Sequence, residues 1–233
     1  MGSIACELRN WIFLDLALAV GGAKALVKSI SPHILSKEKF LSFYFVHPFI
    51  QFNIMRDDSR NGIVLPYKGV WPTIDKTVFC ASNATIIGDV EIGEYSSIWF
   101  QTVVRGDVFP IRIGKKTNIQ DLSVCHVTEG QWSLTVEDEV TVGHRVILHG
   151  CHIRSRSLIG MGSVVLDGAV IEEEAIVAAG SVVTQGAVIP ARTLVVGVPA
   201  KPKRDLTLQE IQMLRISVEH YVTLAQTYSL ETK

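Results

Sequence analysis

From Ile153 onward an apolar residue returns at every sixth position: Ile153, Ile159, Val165, Ile171, Val177, Val183, Ile189 and Val195. An earlier block runs Ile74, Cys80, Ile86, Ile92, Ile98 and Val104. Two short blocks, Ile113-Ile119-Cys125 and Val136-Val142-Leu148, lie between, each offset by a small insertion or deletion. An α-helix repeats every 3.6 residues and an ordinary strand every 2, so neither accounts for a period of six. That period over this length marks a parallel β-helix built from hexapeptide repeats, three to a triangular coil. Twenty register positions at three per coil predict about seven coils.

Because a face returns every third repeat, about 4.8 Å further along the axis, the register predicts columns. Ile86, Val104, Cys125, Leu148 and Val165 form one column that points inward. The residues after them, Ile87, Arg105, His126, His149 and Leu166, point outward and stack. His126 and His149 are therefore neighbours on successive coils, placed to be two ligands of one metal. His144 follows Val142 by two and falls on the preceding face, with Asp121 beneath it and Gln120 beneath Gly143. A ligand on another face reaches the pair if a neighbouring subunit presents it, as three-fold symmetry allows. Three imidazoles with one open position are the pattern of catalytic zinc, which makes water nucleophilic near neutral pH. His33, His47, His152 and His220 have no such register and read as ordinary surface residues, although His152, like Glu129, could serve as a proton relay.

The remainder of the chain narrows the options. The formal net charge of −1 carries no electrostatic footprint for nucleic acid. Four cysteines, Cys6, Cys80, Cys125 and Cys151, show no metal spacing. Cys80 and Cys125 take inward positions and read as small core residues. Nothing demands an oxidising compartment, so a cytoplasmic location is expected.

Residues 1–54 lack the six-residue register and read as an N-terminal extension, with a targeting or membrane-touching segment as the alternative, and are rich in phenylalanine (Phe40, Phe43, Phe45, Phe49 and Phe52). The uncharged run between Lys39 and Arg56 is broken by His47, Pro48, Gln51 and Asn53. It falls short of the roughly 20 apolar residues of a membrane-spanning helix, so no membrane association is expected. Residues 55–204 form the repeat domain, which ends at the proline-containing stretch Gly197–Pro202. Over residues 205–233, Thr207-Leu208-Gln209-Glu210 reads as a capping box. Ile211, Leu214, Val218, Tyr221, Val222 and Ala225 follow at helical spacing, predicting a helix packed along the prism.

Four stretches, Arg105-Gly106-Asp107, Thr117-Asn118-Ile119-Gln120-Asp121, Cys125-His126-Val127 and Gly143-His144 through His149-Gly150, resemble the γ-class carbonic anhydrase family. The resemblance runs over roughly residues 65 to 230. It implies a left-handed β-helix, a homotrimer with metal at the subunit interfaces, and reversible hydration of carbon dioxide to bicarbonate. His126 and His149 would come from one subunit and His144 from the next, holding Zn2+, with Fe2+ or Co2+ as alternatives. It further implies that Gln120 and Asn118 line the site, with Gln120 near the reactive water. Arg105, Asp107 and Asp121 would make charged interface contacts, and Tyr221 would approach the active site or simply pack the helix. Two departures stand out. Val108 occupies a position where well-studied members carry glutamate. The acidic loop after the first histidine is reduced to Thr128-Glu129-Gly130-Gln131, so Glu129 is the one carboxylate there for a proton shuttle. Two rival readings remain: a hexapeptide acyltransferase, and a trimeric metal-binding or assembly subunit without turnover.

Overall fold

A coil that must bury one apolar residue in six does so with very short strands separated by sharp corners. The computed structural model describes residues 62–231, and the expectations for residues 1–54, with Cys6, His33 and His47, lie outside them. Strands of two or three residues, among them Val124–His126, Thr141–Val142, Ile147–His149 and Leu158–Ile159, pair in parallel with those one coil away. They stack into a parallel β-solenoid of about seven coils. Two longer strands, Thr85–Ile92 and Val103–Ile113, run around a corner and join two faces into one sheet.

The columns are those the period predicts. Ile86 pairs with Val104, Val104 with Cys125, Cys125 with Leu148 and Leu148 with Val165. All five are fully buried. Two further inward columns run Ile92-Ile113-Val136-Ile153-Ile171 and Ile98-Ile119-Val142-Ile159-Val177. Burying each such side chain contributes about 1.5–3 kcal/mol, and the inter-coil ladder satisfies the strand backbones.

The corners set where outward side chains emerge. Gln101, Leu122 and Arg145 all adopt positive φ, 59°, 63° and 58°, at one stacked corner. Leu122 N–H donates to Phe100 O and Arg145 N–H to Asp121 O, so Asp121 and His144 superpose just before that turn. Cys125 and Cys151 are buried, and burial pushes the Cys125 thiol up to about 12 and raises Cys151 as well. They stay protonated, as core residues and not as ligands.

The proline-containing stretch ends the regular coil, but the chain adds one strand beyond it. Lys201–Asp205 pairs antiparallel with Thr193–Val196, and Pro202 is accommodated where the pairing shifts register. The helix Leu208–Glu231 follows. Its capping box forms as expected: Glu210 N–H donates to Thr207 Oγ1 (3.2 Å) and Thr207 N–H to Glu210 Oε2 (2.9 Å). Leu214, Val218 and Ala225 are buried along the stripe. Tyr221 and Tyr228 meet Trp99 edge-on, with ring centroids 5.6 and 5.4 Å away. Among the described residues no helix is long and apolar enough to cross a membrane.

Candidate metal centre

His126 and His149 are partners in the parallel ladder between Val124–His126 and Ile147–His149, and their rings leave the same face of the solenoid. Nδ1 of His126 stands 3.1 Å from Nε2 of His149. The opposite nitrogen of each ring is held by a carboxylate: Asp107 Oδ1 lies 3.1 Å from His126 Nε2, and Asp167 Oδ1 lies 2.7 Å from His149 Nδ1. An ionised carboxylate only accepts, so these bonds place the imidazole protons on His126 Nε2 and His149 Nδ1. Two bare lone pairs then face one another. They repel unless a cation lies between them. A tetrahedral ion with ligands at about 2.0–2.1 Å spaces two nitrogens about 3.3 Å apart, close to the observed gap. The donor set therefore fits a metal.

The electrostatics agree with that use. Burial is the largest influence on His126 and, with Arg105 and His149 nearby, it lowers the imidazole pKa against the pull of Asp107. A neutral ring is what a metal requires. Burial also works against the charge of Asp107, but hydrogen bonds from Arg105 and His126 outweigh it and hold the carboxyl below its usual range.

His144 repeats the arrangement on the neighbouring face. Asp121, one coil below, accepts from its Nδ1 at 2.7 Å, which leaves Nε2 as the lone pair. Gln120, Asn118, His144 and Tyr221 gather here. Gln120, His144 and Tyr221 line a cleft of about 540 Å³ beneath the helix. Gln120 donates to Asn118 Oδ1 at 2.9 Å, and Asn118 donates to Thr141 Oγ1 at 3.1 Å. Burial raises the Tyr221 phenol, and the Asp121 charge adds to the rise. Tyr221 thus both packs on Trp99 and lines the cleft.

His144 does not join the His126–His149 pair within one chain. Among the described residues no group of three His, Cys, Asp or Glu converges on a point. Asp107 and Asp121, expected at an interface, each bind a histidine of their own chain, and Arg105 pairs with Asp107. Val108 is half-buried against the core. Glu129 sits on an exposed turn closed by the Thr128–Trp132 bridge. His152 pairs with Glu137 at 2.8 Å, on a different strand from the ligand candidates. Sequence reasoning missed Asp167. Its signal was present in the register, two residues beyond Val165 as Gly150 is two beyond Leu148, but a corner position does not reveal where a side chain points.

The family model described as bacterial transferase hexapeptide (six repeats) matches residues 150–185. A carbonic anhydrase of Geobacillus kaustophilus is 51% identical over 166 residues, spanning 71% of this chain and 91% of the relative. The mitochondrial gamma carbonic anhydrase 3 of Arabidopsis thaliana is 46% identical over 178 residues, 74% of this chain and 69% of the relative. The crystal structure of a hexapeptide transferase family protein from Anaplasma phagocytophilum superposes with a TM-score of 0.69 at 45% identity. It covers 71% of this chain and 98% of that one.

Proposed function

Since the chain belongs to the γ-class carbonic anhydrase family, we propose that it catalyses reversible hydration of carbon dioxide to bicarbonate at a metal centre shared between subunits of a homotrimer. The observation that carries this reading is the pair of facing lone pairs on His126 and His149, each ring backed by its own carboxylate. His126 and His149 of one subunit and His144 of the next hold the ion. We take the ion to be Zn2+, with Fe2+ or Co2+ as alternatives that three imidazoles also accept. The bound ion supplies the Lewis acidity that makes water nucleophilic near neutral pH. Asp107, Asp121 and Asp167 fix the tautomer and orientation of the three imidazoles. Gln120, fixed by Asn118, orients the attacking water and the bicarbonate through its amide, while Tyr221 walls the cleft. Glu129, on its solvent-facing turn, takes up the proton that must leave after each cycle. Arg105 completes the charged contacts around Asp107 at the subunit interface. Val108 provides no carboxylate beside the site and sets a lower turnover. Free thiols at Cys125 and Cys151 suit the reducing cytoplasm.

Metal analysis of anaerobically purified protein, paired with a carbon dioxide hydration assay and a mass measurement in solution, tests the reading. About one ion per chain, a trimer and measurable hydration support it. A monomer with full metal occupancy overturns the shared site. The acyltransferase reading has in its favour the likeness to a hexapeptide transferase family structure and the transferase hexapeptide model over residues 150–185. It gives no use to the His126–His149 pair, and saturable coenzyme A binding without metal would favour it.

A further inference from the structure

Asp167 does more than touch His149. It stands one coil beyond His149 and reaches back across that coil to the one before. Its Oδ1 accepts from His149 Nδ1 at 2.7 Å, and its Oδ2 accepts from Thr128 Oγ1 at 2.9 Å. Thr128 closes the short turn that carries Glu129: Thr128 N–H donates to Trp132 O at 3.1 Å, and Trp132 N–H to Thr128 O at 3.2 Å. Two glycines make this crossing feasible. A Cβ on Gly150 would collide with Asp167 Oδ1 and lie 2.6 Å from Trp132 Cβ; one on Gly168 would lie 2.9 Å from Trp132 Cη2. Both have positive φ, 51° and 66°, where a side chain is strained in any case. Trp132 thus lies over the glycine corner, and the carboxylate runs beside it.

The geometry points to Asp167 as a positioning residue for the metal ligand His149, braced by the Thr128–Trp132 turn. This rests on the metal reading above and adds to it a role for the shortened turn: the turn holds the carboxylate that sets the ligand's tautomer and aim. Asp167 fixes the proton on Nδ1, so Nε2 stays available; Thr128 supplies a donor to the second oxygen and stops the carboxylate from rotating away. Trp132 packs over the glycine corner beside the carboxylate, and charge-assisted bonds of this kind are stronger than neutral ones. An Asp–His contact alone would not single this pair out, because Glu137 makes a comparable contact with His152 at 2.8 Å. Glu137 is braced likewise, its Oε2 accepting from Ser155 Oγ at 2.9 Å; what distinguishes Asp167 is that its histidine faces His126 and that it runs through the two glycine-lined crossings.

The test is the Zn2+ dissociation constant of the full-length protein, measured by competition with a chelator, alongside the visible spectrum of the Co2+-loaded form. Asp167→Ala is expected to weaken Zn2+ binding on the order of 10–100-fold and to change the Co2+ spectrum. Asp167→Asn keeps an oxygen on Nδ1 and should recover part of that loss. Thr128→Val and Trp132→Ala, which touch no ligand, should weaken binding less, in the same direction. Glu137→Gln is the matched control and should bind as wild type does. If Asp167→Ala misfolds, Thr128→Val and Asp167→Asn carry the test. Binding within about two-fold of wild type in these variants, with an unchanged Co2+ spectrum, overturns the proposal. A wild-type protein that binds no Zn2+ gives a different result: it overturns the metal reading, and this role with it.

Discussion

Gln120 and Asn118, two residues apart on one buried stretch, are joined by a 2.9 Å hydrogen bond from Gln120 Nε2 to Asn118 Oδ1. Asn118 passes the orientation on to Thr141, whose hydroxyl lies 3.3 Å from Ser217 of the helix. With one Nε2 hydrogen given to Asn118, the amide keeps a second N–H and Oε1, its acceptor. Gln120→Ala should leave metal content nearly unchanged and lower carbon dioxide hydration on the order of 10–100-fold. The vacated Asn118 oxygen should also cost about 1–3 kcal/mol of stability. Metal analysis, stopped-flow hydration and urea unfolding read the three effects separately. Loss of metal in this variant would show that Gln120 helps hold the ion.

Replacing any one of His126, His144 or His149 by alanine should strip most of the bound metal, because only three protein ligands are available. His152→Ala should keep it, since His152 pairs with Glu137 away from the three. Normal metal content in His144→Ala would remove the inter-subunit site.

Asp121→Ala tests the same register from beneath. The carboxylate accepts from His144 Nδ1 at 2.7 Å, one coil down. Its removal frees the tautomer of the ligand that the neighbouring subunit needs, so metal affinity and trimer stability should fall together. Equilibrium sedimentation with and without added Zn2+ checks this. A stable trimer with unchanged affinity would contradict it.

The columns were legible from a single chain because a six-residue period fixes both which residues point inward and which coil each one joins. His126 over His149 and His144 over Asp121 follow from counting alone. What counting could not supply lies at the corners. Asp167 occupies a corner, and its bonds to His149 and Thr128 depend on a side-chain direction that Gly150 permits. Asp107 binds Arg105 and His126 of its own chain, contacts that the column count does not give. Tyr228 went unnoticed at the far end of the helical stripe because its burial comes from an aromatic cluster with Phe79, Phe100 and Trp99, distant in sequence.

The helix cap supplies a pH-dependent test. Hydrogen bonds from Arg204, then from the Thr207 backbone, lower the Glu210 carboxyl from 4.5 to about 2. A pKa depressed on folding contributes stability above the unfolded value, and that contribution fades as pH falls through the folded one. The stability difference between wild type and Glu210→Gln should therefore be full above pH 4.5 and shrink towards pH 2. Thermal melts across that range measure it. A constant difference would mean that Glu210 acts through shape and not charge.

Glu174 offers a buried counterpart. Only 2% exposed, it receives Arg156 Nε at 3.1 Å and Arg192 Nε at 2.8 Å, with Arg215 of the helix 3.6 Å away. Glu174→Ala should destabilise by about 1–3 kcal/mol, since it leaves these donors without their shared acceptor. Glu173→Ala, at an exposed ion pair with Arg156, should cost no more than about 1 kcal/mol. Urea unfolding of the two variants compares them directly.

The stacked coils give this chain something like a reading frame. Where nothing intervenes, 18 residues return it to the same point one level up, as between Arg156 and Glu174. Between His126 and His149 the interval is 23, and the Thr128–Trp132 turn takes up the surplus. A residue gained or lost in such a turn leaves every downstream position in phase. The same change inside Ile147–His149 would rotate each later residue off its face, as far as Val195. Length variation can therefore accumulate at the corners while the ligand columns stay aligned, and lineages can remodel the turns around a metal centre without disturbing the ligands that define it.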